Sequence, residues 1–222
     1  MIRLYHSLMD WSEVWALLIP LSIFLWKRNL NFIMRPVLWY VCIALFLNIV
    51  QDIIWKFKDE FHFKGIFYNN PFVYNTHSIV RFFMFSIFFL RLQPSRFKSL
   101  KIILAVLFLA FIIINFSIYQ SFTDFSSLLF GVETALLLLY CLLYYLTLLQ
   151  QEDYDSYGRL PEFWVVTGLS IYVVINFPIF LFYRTLTVQF ENFAIDIWDV
   201  HNLSYIIFCL FLAKAFYVSE NG

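Results

Sequence analysis

The chain has 222 residues, of which 62% are hydrophobic, 23% aromatic and 14% charged, with a mean hydropathy of +0.76. A soluble domain of this length does not keep so much apolar surface with so few charges, so the composition points to an all-α polytopic protein embedded in a lipid bilayer. Lys+Arg and Asp+Glu number 15 each and no basic run occurs, which excludes nucleic acid as a partner.

Seven segments reach the roughly 17–25 apolar residues that a membrane span requires. In chain order they cover 9–26, 35–55, 71–92, 100–119, 125–149, 161–183 and 199–217. They predict one domain over 1–222, a bundle of seven transmembrane helices. The runs are continuous and too long for barrel strands, which alternate. Pro36, Pro71 and Pro161 stand at or near helix starts, where a missing N–H does no harm. Pro20 and Pro178 fall inside spans and are expected to kink or open them. The longest connections are 56–70 and 184–198, and the acidic stretch Gln151–Gly158 reads as a solvated loop. Cys42, Cys141 and Cys209 lie in apolar segments and read as small buried hydrophobes. With 29 Phe and 5 Gly, aromatic side chains must do most of the packing, and Gly131 and Gly168 read as packing positions. Trp11, Trp26, Trp55, Tyr68, Tyr183, Trp198 and Tyr217 sit near span ends and read as interfacial anchors.

Lys and Arg in the connections set the orientation. With the N-terminus outside, Lys27, Arg28, Arg35, Arg91, Arg96, Lys98, Lys101, Arg159 and Lys214 face inward, against Arg3, Lys56, Lys58, Lys64 and Arg184. This bias predicts a cell (inner or plasma) membrane protein with its N-terminus outside and its C-terminus in the cytoplasm, although Lys56, Lys58 and Lys64 run against it. One early arginine, Arg3, is followed by Asp10 and Glu13, and Lys27-Arg28 comes after the apolar run, which is not the pattern of a cleaved signal.

The polar residues inside the spans gather at one depth. Glu13 opens segment 1, Asn48, Gln51 and Asp52 close segment 2, and Asn75, His77 and Arg81 lie in the first half of segment 3. Asn115 is near the end of segment 4, Glu133 early in segment 5, Asn176 late in segment 6, and His201, Asn202 and Ser204 open segment 7. Since successive spans reverse direction, all of these fall in the leaflet that holds the N-terminus. At 1.5 Å per residue most lie about 3–15 Å below that surface. Asn48 and Asp52 are spaced i,i+4, as are His77 and Arg81, so each pair shares a face. A buried arginine needs a counter-charge, and Glu13, Asp52 and Glu133 are available for Arg81. Such a layer either fixes helix packing or lines a polar cavity. Intramembrane charges characteristically line pathways and sites, which favours the cavity. The candidate ligand-binding or polar-core residues are therefore Glu13, Asn48, Asp52, Asn75, His77, Arg81, Glu133, Asn176, His201 and Asn202.

Segments 1–3 can be laid over segments 5–7, with repeat halves 9–92 and 125–217 and 100–119 as a linker helix. Glu13 then matches Glu133, Pro36-Val-Leu-Trp39 matches Pro161-Glu-Phe-Trp164, and Tyr74-Asn75-Thr76-His77-Ser78 matches Trp198-Asp199-Val200-His201-Asn202. This 3+1+3 organisation resembles that of the SWEET and PQ-loop transporters in topology only, because the Pro-Gln signature of the latter is absent. Lys214 is the one lysine of segment 7. It lies near the inner end and points away from the His201 face, so it reads as a snorkelling side chain and not as the retinal lysine of a microbial rhodopsin. Leu160-Pro-Glu-Phe-Trp164 and His201-Asn-Leu-Ser-Tyr205, each opening a helix, resemble the seven-helix membrane sensor regions of bacterial histidine kinases. That resemblance implies a sensor. No kinase follows segment 7 in this sequence, so signalling is expected to pass through a partner protein.

The expected function is thus an integral membrane receptor or sensor that takes a small polar ligand into a pocket in its outer half, a reading favoured over an enzyme. The alternative is a carrier for a small polar or anionic solute, with Arg81 binding the anion and the Glu and His pairs moving protons. A second alternative is a metal- or haem-containing membrane enzyme, since imidazole and carboxylate suit zinc and two histidines at one depth suit a b-type haem. No His-x-x-x-His, phosphate loop or nucleophile elbow occurs, so no catalytic residue, metal or cofactor is expected.

Overall fold

The computed structural model describes residues 9–57, 60, 70–92, 97–150, 154–189 and 191–219. All of its main elements are α-helices: α1 (Ser12–Lys27), α2 (Arg35–Phe57), α3 (Pro71–Arg91), α4 (Lys98–Ile114), α5 (Ser127–Leu148), α6 (Pro161–Gln189) and α7 (Glu191–Val218). Six helical stretches are long and apolar enough to cross a membrane, and they make the chain a polytopic membrane bundle. The helix α1, at 16 residues, spans about 24 Å and falls below that length.

Local chemistry sets the helix starts. Pro71 occupies the first turn of α3, where its fixed φ is preorganised for helix. The Ser126 hydroxyl accepts from the Leu129 N–H (3.2 Å) and caps α5. Asn31 accepts from the Ile33 N–H (3.3 Å) and starts the 3-10 turn Phe32–Met34 that leads into α2. Pro20 and Pro178 both sit inside continuous helices, α1 and α6.

Six helices close into a ring in the order α1–α2–α3–α5–α6–α7, with α7 returning to α1. The remaining helix, α4, packs on the outside against α3 and α5. Only 11% of its apolar window is buried, against 39–56% in the other five spans, so α4 is the helix that meets lipid on most of its surface. It ends in a π-helical turn, Asn115–Tyr119.

The core is divided. A large aromatic cluster fills the half of the ring away from the N-terminus, where Phe82, Phe85, Phe88, Phe89, Tyr140 and Phe208 are all fully buried. A small second cluster of Phe130, Ile179 and Phe180, flanked by Tyr74, Phe125 and Trp198, sits at the other end. The polar layer lies between them. α6 and α7 approach closely at Gly168, where a methyl group would run into the Phe211 Cβ of α7.

Several expectations need correction. Residues 184–198 were expected to be a connection, but α6 runs to Gln189 and α7 begins at Glu191. Hydropathy marks where an apolar run leaves the hydrocarbon, whereas the helix continues into polar surroundings. Part of the acidic loop is a 3-10 turn, Tyr154–Arg159; residues 151–153 lie outside the described set. Cys42 is exposed, while Cys141 and Cys209 are buried. Lys101, counted as a rim charge, is 5% exposed and its Nζ donates to the Phe89 carbonyl (2.9 Å). Arg3, Lys58, Lys64, Tyr68 and Arg96 lie outside the described residues.

Candidate functional site

Two networks, each centred on a carboxylate, form the polar layer. On the α3–α5 side, Arg81 Nε donates to Glu133 Oε1 (2.5 Å) and Nη2 to Oε2 (2.6 Å). Its Nη1 donates to the Tyr172 hydroxyl of α6 (2.6 Å), and Ser78 Oγ donates to Glu133 Oε2 (2.6 Å). Arg81 is 3% exposed and Glu133 is fully buried. This is the planar two-point geometry in which guanidinium and carboxylate bind most strongly. Of the three acids available to Arg81, the fold selects Glu133: Glu13 is taken up by His201 and Gln51, and Asp52 stands beside Lys56 at the vestibule wall.

On the α1–α7 side, His201 Nε2 lies 3.0 Å from Glu13 Oε1, and Gln51 Nε2 donates to Glu13 Oε2 (3.0 Å). His201 Nδ1 is 2.5 Å from Asn176 Oδ1. The Asn176 amide is oriented by its nitrogen, which donates to the Tyr172 carbonyl and to Ser204 Oγ, both at 2.7 Å. Asn176 Oδ1 therefore accepts and His201 donates from Nδ1, which turns His201 Nε2 towards the Glu13 carboxylate. Asn48 Nδ2 donates to the Glu13 carbonyl (2.8 Å) and ties α2 to the start of α1.

Above this layer opens a vestibule of about 680 Å³ at the N-terminal end of the ring, reached past Asp52, Asn70, Thr187 and Asp199. Its floor is Glu13, Tyr74 and Trp198, which are also the roof of a chamber of about 10 Å³ lined by His77, Arg81, Tyr172, His201 and Tyr205. The chamber has room for roughly one water molecule. Tyr74 and Trp198 meet edge to face with centroids 6.0 Å apart, and Trp198 lies over His201 at 4.7 Å. The arrangement is a wide polar mouth, an aromatic gate and a dense charged base.

The ten candidate residues divide into three roles. Glu13, His77, Arg81 and His201 line the chamber, and Asp52 and Asn202 line the vestibule. Glu133, Asn48 and Asn176 hold those groups in place. Asn75 does neither: its Nδ2 donates to the carbonyls of Phe122 (2.9 Å) and Asp124 (2.8 Å), and its Oδ1 accepts from the Ser126 N–H (3.3 Å), so it ties the α4–α5 connection to α3. Residues outside that set also matter. Gln51, Tyr74, Tyr172 and Trp198 shape the site. Tyr183 and Trp198, expected as membrane-interface anchors, instead face the vestibule. His77 stacks on Tyr40, with ring centroids 5.9 Å apart. Among the described residues, no group of three or more His, Cys, Asp or Glu is placed to hold a metal ion.

No family model, curated protein or solved structure matches this chain.

Tyr172→Phe removes one hydroxyl from a charged, buried network and should lower stability by about 1.5 kcal/mol. A melting curve of the detergent-solubilised variant checks this; a wild-type midpoint would mean that the Arg81–Tyr172 contact contributes nothing.

Proposed function

We propose that this chain is a multi-pass membrane receptor that takes a small polar ligand into the vestibule and passes the resulting change to a partner protein. The observation that carries the reading is that, among the described residues, the vestibule narrows at Glu13, Tyr74 and Trp198 to the small charged chamber, with the buried aromatic cluster beyond it. A carrier of the alternating-access kind needs lining groups on both sides of its site. An anion carrier also needs a free cation, and all three guanidinium nitrogens of Arg81 are engaged by Glu133 and Tyr172.

In this reading α1 completes a bundle of seven transmembrane helices. The ring order supports the 3+1+3 organisation, since exchanging α1–α3 with α5–α7 maps the ring onto itself and leaves α4 outside as the linker. His77 and His201 then stand in equivalent places and both line the chamber, while Tyr74 and Trp198, also equivalent, touch. Glu13 and Glu133 each bind a base on the neighbouring helix, His201 in one half and Arg81 in the other. Tyr205 occupies the position equivalent to Arg81, so the two halves differ in charge where they meet. A gate that touches both halves couples ligand entry to their packing.

The Lys and Arg distribution supports a vestibule on the non-cytoplasmic side. A cysteine placed at Asn70, in a variant with Cys42, Cys141 and Cys209 replaced by Ala, should react with a membrane-impermeant maleimide in intact cells. Reaction only after lysis would reverse the orientation.

A further inference from the structure

The wall of the vestibule specifies more than polarity. Among the described residues, three carboxylates, those of Asp10, Asp52 and Asp199, face it beside the His201-bound Glu13, against one cation, Lys56. Lys56 is itself occupied: its Nζ lies 3.7 Å from Asp52 Oδ2 and 3.7 Å from the centre of the Trp11 ring. The site is therefore negative, and it already holds one ammonium group between a carboxylate and an indole.

Two buried acceptors point the same way. Gln51 is 2% exposed and Asn202 4% exposed, and both line the vestibule. The amide nitrogen of each is committed, Gln51 Nε2 to Glu13 Oε2 (3.0 Å) and Asn202 Nδ2 to the Met9 carbonyl (3.2 Å). Their oxygens, Gln51 Oε1 and Asn202 Oδ1, have no hydrogen-bond partner. Buried acceptors without a partner are costly, and a ligand that carries N–H donors removes that cost. Most of the remaining wall is aromatic, from Trp55, Tyr74, Phe125, Tyr183 and Trp198, with Asn70, Pro71 and Thr187 beside them. Aromatic faces carry negative potential, which attracts a cation and accepts an apolar body. At about 680 Å³ the vestibule lies within the range of small-molecule sites.

Resting on the receptor reading above, we propose that the ligand is a protonated organic amine. Its ammonium group sits among the acidic side chains and donates to Gln51 Oε1 and Asn202 Oδ1, and its carbon skeleton packs against Tyr74 and Trp198.

Isothermal titration of the full chain in lipid nanodiscs tests this with three compounds of matched size: 2-phenylethylammonium, 2-phenylethanol and 3-phenylpropionate. The ammonium should bind saturably and at least about tenfold more tightly than the other two. Asp52→Asn combined with Asp199→Asn should weaken the ammonium by about tenfold and leave the alcohol unchanged. Equal or tighter binding of the alcohol or the carboxylate overturns the amine assignment while leaving a ligand receptor. Silence toward all three overturns the amine assignment alone if cysteines at Asn70 and Thr187 still react with hydrophilic reagents. It overturns the receptor reading as well if those positions are closed.

Discussion

Arg81→Met is expected to be the most damaging single substitution in the bundle, lowering stability by about 3–5 kcal/mol, because it strands the Glu133 carboxylate with only the Ser78 hydroxyl as a partner. Glu133→Leu should cost a similar amount by stranding the guanidinium. The double variant Arg81→Met/Glu133→Leu removes both charges and fills the space with apolar groups, so it should recover to within about 1 kcal/mol of the wild type. Thermal melts of the four proteins close the double-mutant cycle. A double variant destabilised by the sum of the two single costs would show that the two side chains act through separate partners and not as one pair.

Gly168→Val is the second. A Cβ at Gly168 meets Phe211 Cβ, which cannot swing away as a side-chain tip can, and lies 3.4 Å from Phe208 Cδ2. α6 and α7 must move apart along the closest-packed seam of the ring, at the upper end of overpacking costs, about 3 kcal/mol. Gly131 on α5 provides the control. There an added methyl meets Leu181 at ordinary contact distances, Cδ1 at 3.4 Å and Cα and Cβ at 3.9 Å, and the gain in helix propensity is about 0.5–1 kcal/mol. Gly131→Ala should melt at or above the wild type and Gly168→Val far below it. Equal behaviour of the two would mean that α6 and α7 are not held in the packing described.

The charged half of the site was legible in the sequence because charge is rare there. Glu13, His77, Arg81, Glu133 and His201 stand out inside hydrocarbon-length segments, and reversing the direction of successive helices is enough to place them at one depth. The choice of Glu133 over Asp52 or Glu13 as the partner of Arg81 was not legible, since it depends on how α3 is turned towards α5 and on Asp52 and Glu13 being matched with Lys56 and His201. The aromatic half was hidden for the opposite reason. Tyr74, Tyr172 and Trp198 are three among 29 Phe, 14 Tyr and 7 Trp, and nothing in their types separates a gate from packing or from an interfacial anchor. Asn75 misled because its position shares the depth of the site, while its contacts belong to the α4–α5 connection. The six long spans were visible as apolar runs. The full lengths of α6 and α7 were not, because their ends leave the hydrocarbon without ceasing to be helical.

The central claim is that the cavity is open at one end and closed at the other, and the chain carries its own probes for the closed half: Cys141 and Cys209, both fully buried in the aromatic cluster. Oriented proteoliposomes of a Cys42→Ala, Thr187→Cys variant can be treated with a charged thiosulfonate from either side. The expected result is rapid modification of the cysteine at position 187 from the N-terminal side alone, with Cys141 and Cys209 unmodified from both. Modification of Cys141 or Cys209 from either side would show a continuous aqueous path and contradict the dead-ended vestibule.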